Sequence, residues 1–293
     1  MANSKVALWI CRAVSCRRLC RKGSVIDQKP CALCNNCILG KSAPGKSRIG
    51  QKMKHSGKIA LLVAVSGALG VALMLFGARL GIWQPIVGFG LFRSALAPLG
   101  AVIAGVGLLA LVVHSRRKER GGALSGGFAV LIGVACLVPM TMAALTPPVR
   151  SAPINDITTD TVNPPAFLVL DATREGARTS LDYAGAAVAE IQAAAYPDIA
   201  PLETNLTADA AFARALEVAR DMGWDIIASD AERHRFEATA RTSVFYFADD
   251  VVVVVTELGS GRRVDMRSVS RIGRSDQGVN ATRIRDFQQQ FGG

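Results

Sequence analysis

The sequence predicts an α+β protein in which three N-terminal transmembrane helices precede a soluble domain with a four-stranded antiparallel sheet packed by helices. Three observations predict this fold class. The mean hydropathy of +0.30 is too high, and the 19% of charged residues too low, for an ordinary soluble protein. Three uncharged apolar stretches lie before residue 147, and helix and strand patterns separated by turn residues follow residue 167.

The apolar stretches are the predicted membrane spans, residues 59–76, 95–113 and 123–145 within a membrane region of residues 53–147. At about 1.5 Å per residue the first span reaches roughly 27 Å, close to the thickness of the hydrocarbon core. It is not followed by a cleavage site and a polar mature start, so we interpret it as a retained helix and not as a signal peptide. Small residues that would let the helices approach closely are Gly70, Gly77, Ala101, Gly105, Gly126 and Gly133.

Positive charges next to the spans predict the orientation. Lys52, Lys54 and Lys58 precede the first span, and the second connection carries Arg116, Arg117, Lys118 and Arg120. These segments should face the cytoplasm. The sequence therefore predicts a bacterial inner-membrane protein with a cytoplasmic N-terminus and a periplasmic C-terminal domain.

The net charge of +11 does not indicate nucleic-acid binding, because it is unevenly distributed along the chain. Residues 151–293 carry fourteen arginines against twenty-one acidic residues, so the positive surplus belongs to the N-terminal tail and to the loops that flank the spans. We expect membrane lipids as partners and no nucleic acid.

Residues 1–52 form a basic, cysteine-rich tail with the pattern C-x4-C-x3-C-x10-C-x2-C-x2-C. Three interpretations are open: a mis-assigned start ahead of Met53, a disordered basic tail, or a zinc or iron–sulfur site. The pattern lacks the paired C-x2-C halves of a zinc ribbon and has no nearby histidine. The composition shift at Met53 favours the first interpretation, and we predict neither a metal nor another cofactor.

The C-terminal part should begin with a Pro-rich linker over residues 148–166, followed by a soluble domain over residues 167–293. Thr207 should cap a helix that ends at Gly223. Residues 167–171 are interpreted as a short strand. The four strands of the sheet should be 224–230, 235–247, 251–258 and a fourth that follows the turn at residues 259–261. The last helix should cover about 277–290, capped by Asp276 or Asn280.

The segment RVDMRSVSRIGRSDQGVN, residues 263–280, carries the main candidate site. Its arginines should leave a strand, cross Gly273 and meet the start of the last helix, where backbone N–H groups and guanidinium groups together suit an anion. The candidate anion ligands are Arg267, Arg271, Arg274, Ser275 and Asn280. Alternatively, the arginines pair with carboxylates of the domain and tie the last helix to the sheet.

Several chemistries are excluded for residues 151–293, which contain no cysteine and no lysine. A thiol nucleophile, a Schiff base and a P-loop lysine are therefore impossible there. The one histidine, His234, lies between two arginines and is not expected to be catalytic. The Asp249–Asp250 pair is interpreted as a turn. A hydrolase would have to use carboxylates, and Asp265 and Asp276 are the candidates.

Three blocks carry a family resemblance: PINDITTDTVNPPAF (153–167), FYFADDVVVVV (245–255) and GRRVDMRSVSRIGRSDQGVNATRIRDF (261–287). Over about residues 150–290 the chain resembles the bacterial family called domain of unknown function 1499. That resemblance implies a domain often preceded by membrane segments, and it implies no established activity. We therefore expect a membrane-anchored binding or structural module of the cell envelope that recognises an anionic lipid or polymer group, with a carboxylate-dependent hydrolase as the alternative.

Overall fold

The computed structural model describes residues 55–146, 151–259 and 261–292, all within one compact unit that starts at Ile49. The interpretations of the cysteine-rich tail and of the start at Met53 lie outside the described residues. The described chain confirms the predicted fold class, with three long apolar helices followed by a domain of antiparallel sheet and helices.

The three apolar helices are α1 (Ser56–Phe76), α2 (Pro85–Arg116) and α3 (Arg120–Leu145), each long and apolar enough to cross a membrane. Each predicted span lies inside one of them. Helix α2 begins ten residues before the predicted span because Pro85 occupies its first turn, where a missing N–H costs nothing. Many large apolar side chains of these helices are exposed, as lipid-facing residues are.

Helices α2 and α3 pack backbone to backbone through glycines. A Cβ atom built on Gly133 would lie 2.4 Å from the backbone nitrogen of Ala104, and one on Gly126 would lie 2.5 Å from that of Leu111. No side chain fits at either position without moving the opposite helix. Gly70 and Gly105, by contrast, face open space.

A single buried imidazole joins one end of the bundle. The His114 ring accepts the Gly57 N–H at Nε2 (3.0 Å), so its proton is on Nδ1, which donates to Glu119 (2.6 Å). A Cβ atom on Gly122 would lie 2.3 Å from this ring. The start of α1, the end of α2 and the start of α3 are thereby held together around a neutral histidine.

The domain contains one antiparallel sheet of six strands, in the order β1-β6-β5-β4-β3, with β2 also paired to β6. Its strands are β1 (Asp156–Thr158), β2 (Leu202–Thr204), β3 (Asp225–Asp230), β4 (Arg235–Arg241), β5 (Ala248–Leu258) and β6 (Gly261–Ser270). Its helices are α4 (Ala186–Ala195), α5 (Ala208–Asp221) and α6 (Val279–Gly292).

The sheet therefore has two strands more than predicted. Strands β1 and β2 have three residues each, too few to show an alternating pattern, and both are ordered by pairing with β6. Strand β1 lies inside the stretch predicted to be a Pro-rich linker, and its Ile157 is fully buried. Residues 167–171, predicted as a strand, are irregular.

Helices α5 and α6 cover one face of the sheet and form the hydrophobic core with it. Phe236, Val253 and Met266 point to this face, and Trp224 stacks on Phe287 of α6 with ring centroids 5.5 Å apart. Thr207 caps α5 as predicted, accepting the Ala210 N–H at its side-chain oxygen. Neither α5 nor α6 covers the opposite face of the sheet.

The glycine contacts of the membrane helices give a first prediction. Replacing Gly133 by leucine should lower the melting temperature of the detergent-solubilised protein markedly, because overpacking a tight contact costs about 1–3 kcal/mol and backbone atoms cannot yield cheaply. Gly127→Leu on the same helix is the control, since a side chain there meets nothing within 4 Å. Equal melting temperatures for the two variants would contradict this packing.

Candidate functional site

The second face of the sheet is polar, although it is buried. Alternate residues of a strand share a face, and this face carries Glu237 and Thr239 of β4, Asp250 of β5, and Asp265 and Arg267 of β6. All five are nine-tenths or more buried. An irregular segment, residues 159–181, supplies many of their partners, and we call it the cover segment. Charge-assisted hydrogen bonds therefore hold it to the sheet.

Asp250 binds two arginines at one end of this polar face. Its carboxylate is fully buried and accepts from Arg174 Nε of the cover segment at 2.6 Å and from Arg271 Nη2 at 2.8 Å. Arg271 also donates to Thr239 and to the carbonyl of Glu175. The Asp249–Asp250 pair was predicted to be a turn, and that prediction is wrong: both residues lie in β5 and point to opposite faces.

Arg267 is the central side chain of the polar face and is only 2% exposed. It binds the Asp156 carboxylate of β1 through two hydrogen bonds of 2.9 and 2.7 Å, and it donates to two backbone carbonyls of the neighbouring irregular chain. The rings of Phe167 and Tyr183 lie 5.5 and 5.3 Å from its guanidinium carbon. Each of the three guanidinium nitrogens of Arg267 thus donates within the fold.

Glu237 binds the cover segment through backbone N–H groups alone. Its two carboxylate oxygens accept from the N–H groups of Leu168, Val169 and Leu170, at distances from 2.5 to 3.2 Å. These three residues belong to the stretch predicted as a strand. Their N–H groups converge on one carboxylate, which is incompatible with pairing in a ladder.

The remaining predicted site residues on the helix side are also engaged. Asn280 is fully buried and binds the side chains of Ser268 and Ser270. Ser275 donates to the carbonyl of Ala152 at 2.8 Å. Asp276 caps α6 by accepting the N–H groups of Gly278 and Asn280; burial raises the pKa of Asp276, and these hydrogen bonds only partly offset that effect. These residues connect the last helix to the sheet.

Asp265, the other candidate acid, is held by Arg263 at 2.7 and 3.0 Å and by Thr159 at 3.0 Å. The only histidine of the domain, His234, accepts or donates a hydrogen bond of 2.8 Å with Asp209. Asp265 lies in β6 and Asp276 caps α6, and in the described part of the chain no group of three or more metal-ligating side chains could hold an ion.

Two arginines near Gly273 differ from the site residues described above in their exposure and in their pairing. Arg274 and Arg178 are both exposed, and within the described residues neither side chain makes a hydrogen bond or an ion pair. The Arg178 N–H donates to the Arg271 carbonyl at 2.7 Å, which places the end of the cover segment beside Gly273. Gly273 itself has φ +99°, a conformation that favours glycine. We call Arg178, Gly273 and Arg274 the arginine corner.

Residues of the arginine corner line two cavities. One, of about 470 Å³, is lined by both arginines together with Asn155, Ser180 and Asp182. The other, of about 520 Å³, lies between the domain and the connection of α1 to α2, and we call it the junction cavity. Arg178 and Gly273 line both cavities.

The junction cavity exists because residues 242–247 dock on the membrane helices. This stretch was predicted to continue a strand, but β4 ends at Arg241. The Phe245 N–H donates to the carbonyl of Leu75 in α1 (3.0 Å), and its ring meets Phe89 and Phe92 of α2 edge-on at 5.3 and 5.4 Å. Phe245 and the next residue both have φ +62°, a strained backbone that this docking stabilises.

Of the predicted anion ligands, then, only Arg274 is both exposed and unpaired. Arg178 was not predicted, because it lies 96 residues before Arg274 in a stretch without periodic pattern. In the sequence, the charge of Arg178 was the one signal available. The structure separates it from most of the fourteen arginines after residue 150, because in the described chain only the side chains of Arg178, Arg220 and Arg274 lack a polar partner.

Residues 156–291 match the model of the family described as "Protein of unknown function (DUF1499)". This match covers the C-terminal domain, begins at the first residue of β1, and confirms the resemblance stated from the sequence. The description names no activity and therefore transfers no functional residue. None of the curated proteins matches the chain.

The buried pairs give a second prediction. Asp250→Asn should lower the free energy of unfolding by about 3–5 kcal/mol, because it leaves two buried guanidinium groups without a counter-charge. Asp198→Asn is the control, since the exposed Asp198–Arg285 pair should contribute less than about 1 kcal/mol. Thermal denaturation of the detergent-solubilised protein measures both. Similar losses in the two variants would show that burial does not govern these pairs.

Proposed function

We propose that this protein is a membrane-anchored binding module of the cell envelope, and that its domain recognises an anionic group at the arginine corner. The observation that carries the proposal is a pair of exposed arginines, Arg178 and Arg274, which line one cavity with Gly273 and whose guanidinium groups have no polar partner among the described residues. Two of the three arginines of the domain without a polar partner meet at one cavity mouth, in a domain that otherwise neutralises its arginines.

The sequence analysis assigned anion binding to Arg267 and Arg271, which are buried. We now assign it to the exposed Arg178 and Arg274. Arg267 and Arg271 are held in buried ion pairs, and each of their guanidinium nitrogens already donates a hydrogen bond within the fold, so they are poorly placed to bind an incoming anion. Within the described chain, Arg178 and Arg274 are in no such pair. A guanidinium group offers paired donors that match phosphate and carboxylate oxygens, and we therefore infer one of these groups in the ligand.

The orientation inferred from charge supports an envelope role. The α2–α3 connection carries the positive residues, and the domain follows α3 on the opposite side of the bundle, where α1 ends and α2 begins. In this orientation the domain lies outside the cytoplasm, at the outer surface of a bacterial inner membrane. The hydrolase alternative receives no comparable support, because Asp265 and Asp276 are engaged by Arg263 and by the N-terminus of α6.

Titration of the full-length protein in an uncharged detergent with inorganic phosphate tests the proposal. Arg178→Gln and Arg274→Gln should each weaken phosphate binding about tenfold or more, because a hydrogen bond to a charged group contributes about 1.5–3 kcal/mol. Arg220→Gln is the matched control: it removes an exposed arginine that is also unpaired but lies on α5, away from the corner.

Both corner variants should keep the wild-type melting temperature, since neither side chain stabilises the fold through a polar contact. Phosphate binding that is unaffected by either substitution, or that falls equally in Arg220→Gln, would refute an anion site at the corner.

A further inference from the structure

We propose that the anionic group is the phosphate head group of a membrane lipid whose body lies in the junction cavity. This inference rests on the function proposed above and assigns the ligand class of the same site. It is carried by the position of the cavity, by its two chemically different sides and by its continuity with the arginine corner.

The cavity opens at the level of the helix ends. One wall consists of residues that follow α1 and begin α2, namely Ala78, Gly81, Trp83, Gln84, Pro85 and Ile86. Since α1 and α2 have membrane-spanning length, this wall lies at the bilayer surface. A volume of about 520 Å³ is in the range of sites for small organic ligands.

The membrane-facing side of the cavity is apolar and aromatic. Trp83 and Ile86 belong to its wall, and Leu80 and Ile82 of the same connection are 69% and 52% exposed. Large apolar side chains exposed next to membrane helices are in contact with acyl chains, and tryptophan and tyrosine concentrate at the level of lipid head groups. Tyr246 from the docked 242–247 stretch completes this side.

The domain-facing side is positively charged. Arg178 and Arg241 line it, and Arg79 lies with Arg241 over the Tyr246 ring, at 5.7 and 5.1 Å from its centroid. Arg241 is held only by an exposed carboxylate, Asp225, at 3.3 Å. Glu175 is the acidic residue of the cavity wall, and Arg271 there is bound to Asp250, a carboxylate that it shares with Arg174. The cations that remain suit a phosphodiester next to an apolar chain.

Continuity with the corner favours a lipid over a free anion. Because Arg178 and Gly273 line both cavities, an amphiphile with its chains beside Trp83 can place its phosphate at Arg178 and extend its head group toward Arg274. A free phosphate would use the guanidinium groups but would leave the apolar side unoccupied.

The test uses the full-length protein in nanodiscs of equal amounts of phosphatidylglycerol and phosphatidylcholine, followed by release into uncharged detergent and native mass spectrometry. The wild type should retain phosphatidylglycerol over phosphatidylcholine by roughly tenfold, because both lipids carry the phosphodiester but the choline cation is repelled by the arginines around the cavity. Ala78→Trp, which fills the cavity, should abolish retention. Ala72→Trp, at an exposed position of α1, should retain lipid like the wild type.

Arg241→Gln is a second variant, which tests the site without filling the cavity. Arg241 is exposed, and its loss leaves the core intact. This variant should keep a bound lipid and lose most of the preference for phosphatidylglycerol. Equal retention of the two lipids by the wild type, or wild-type retention by Ala78→Trp, would overturn the lipid assignment.

Titration of the same variants with inorganic phosphate separates the two proposals. Ala78→Trp should bind inorganic phosphate like the wild type, because the arginine corner is unchanged. Phosphate binding without lipid retention in the wild type would overturn the lipid assignment and leave the anion site. Loss of both would overturn both, and a retained envelope polymer in place of lipid would also overturn the lipid assignment.

Discussion

The fold of the domain depends on carboxylate and guanidinium groups buried on the face of the sheet that its helices do not cover. Asp250, Glu237 and the Asp156–Arg267 pair are charged groups removed from water, and each is stabilised only because its hydrogen-bonding capacity is filled. The partners come largely from the cover segment, residues 159–181. An irregular chain can therefore cover a sheet face, a task that normally needs a helix or a second sheet.

This arrangement also determines where unpaired charge appears. Arg174 binds Asp250 from the cover segment, and four residues later the backbone of Arg178 binds the carbonyl of Arg271. The buried network thus fixes the chain that carries Arg178 beside Gly273, while Arg271 places Gly273 and Arg274 from the other direction. Arginines that are held in buried ion pairs thus position the two exposed arginines of the corner. This explains how an acidic domain can present a local anion-binding corner.

Local patterns in the sequence were sufficient for the membrane helices, for α5 with its Thr207 cap and for the long central strands. They were insufficient for β1 and β2, whose three residues are ordered only by pairing with β6. For the site, the sequence identified the arginines of residues 263–274, but it did not show which of them are buried in ion pairs and which are exposed. Arg267 is buried because it pairs with Asp156, 111 residues away, and because a cover segment whose contacts have no periodic signal lies against it.

Hydrogen exchange at the amides of Leu168, Val169 and Leu170 tests most directly whether buried charge holds the cover segment. These amides lie in neither a helix nor a strand, and their acceptor is the buried carboxylate of Glu237. Our account predicts that they exchange as slowly as the amides of β5, because releasing them would leave the buried carboxylate of Glu237 with Arg235 as its remaining partner. Exchange at the rate of an exposed loop would contradict it.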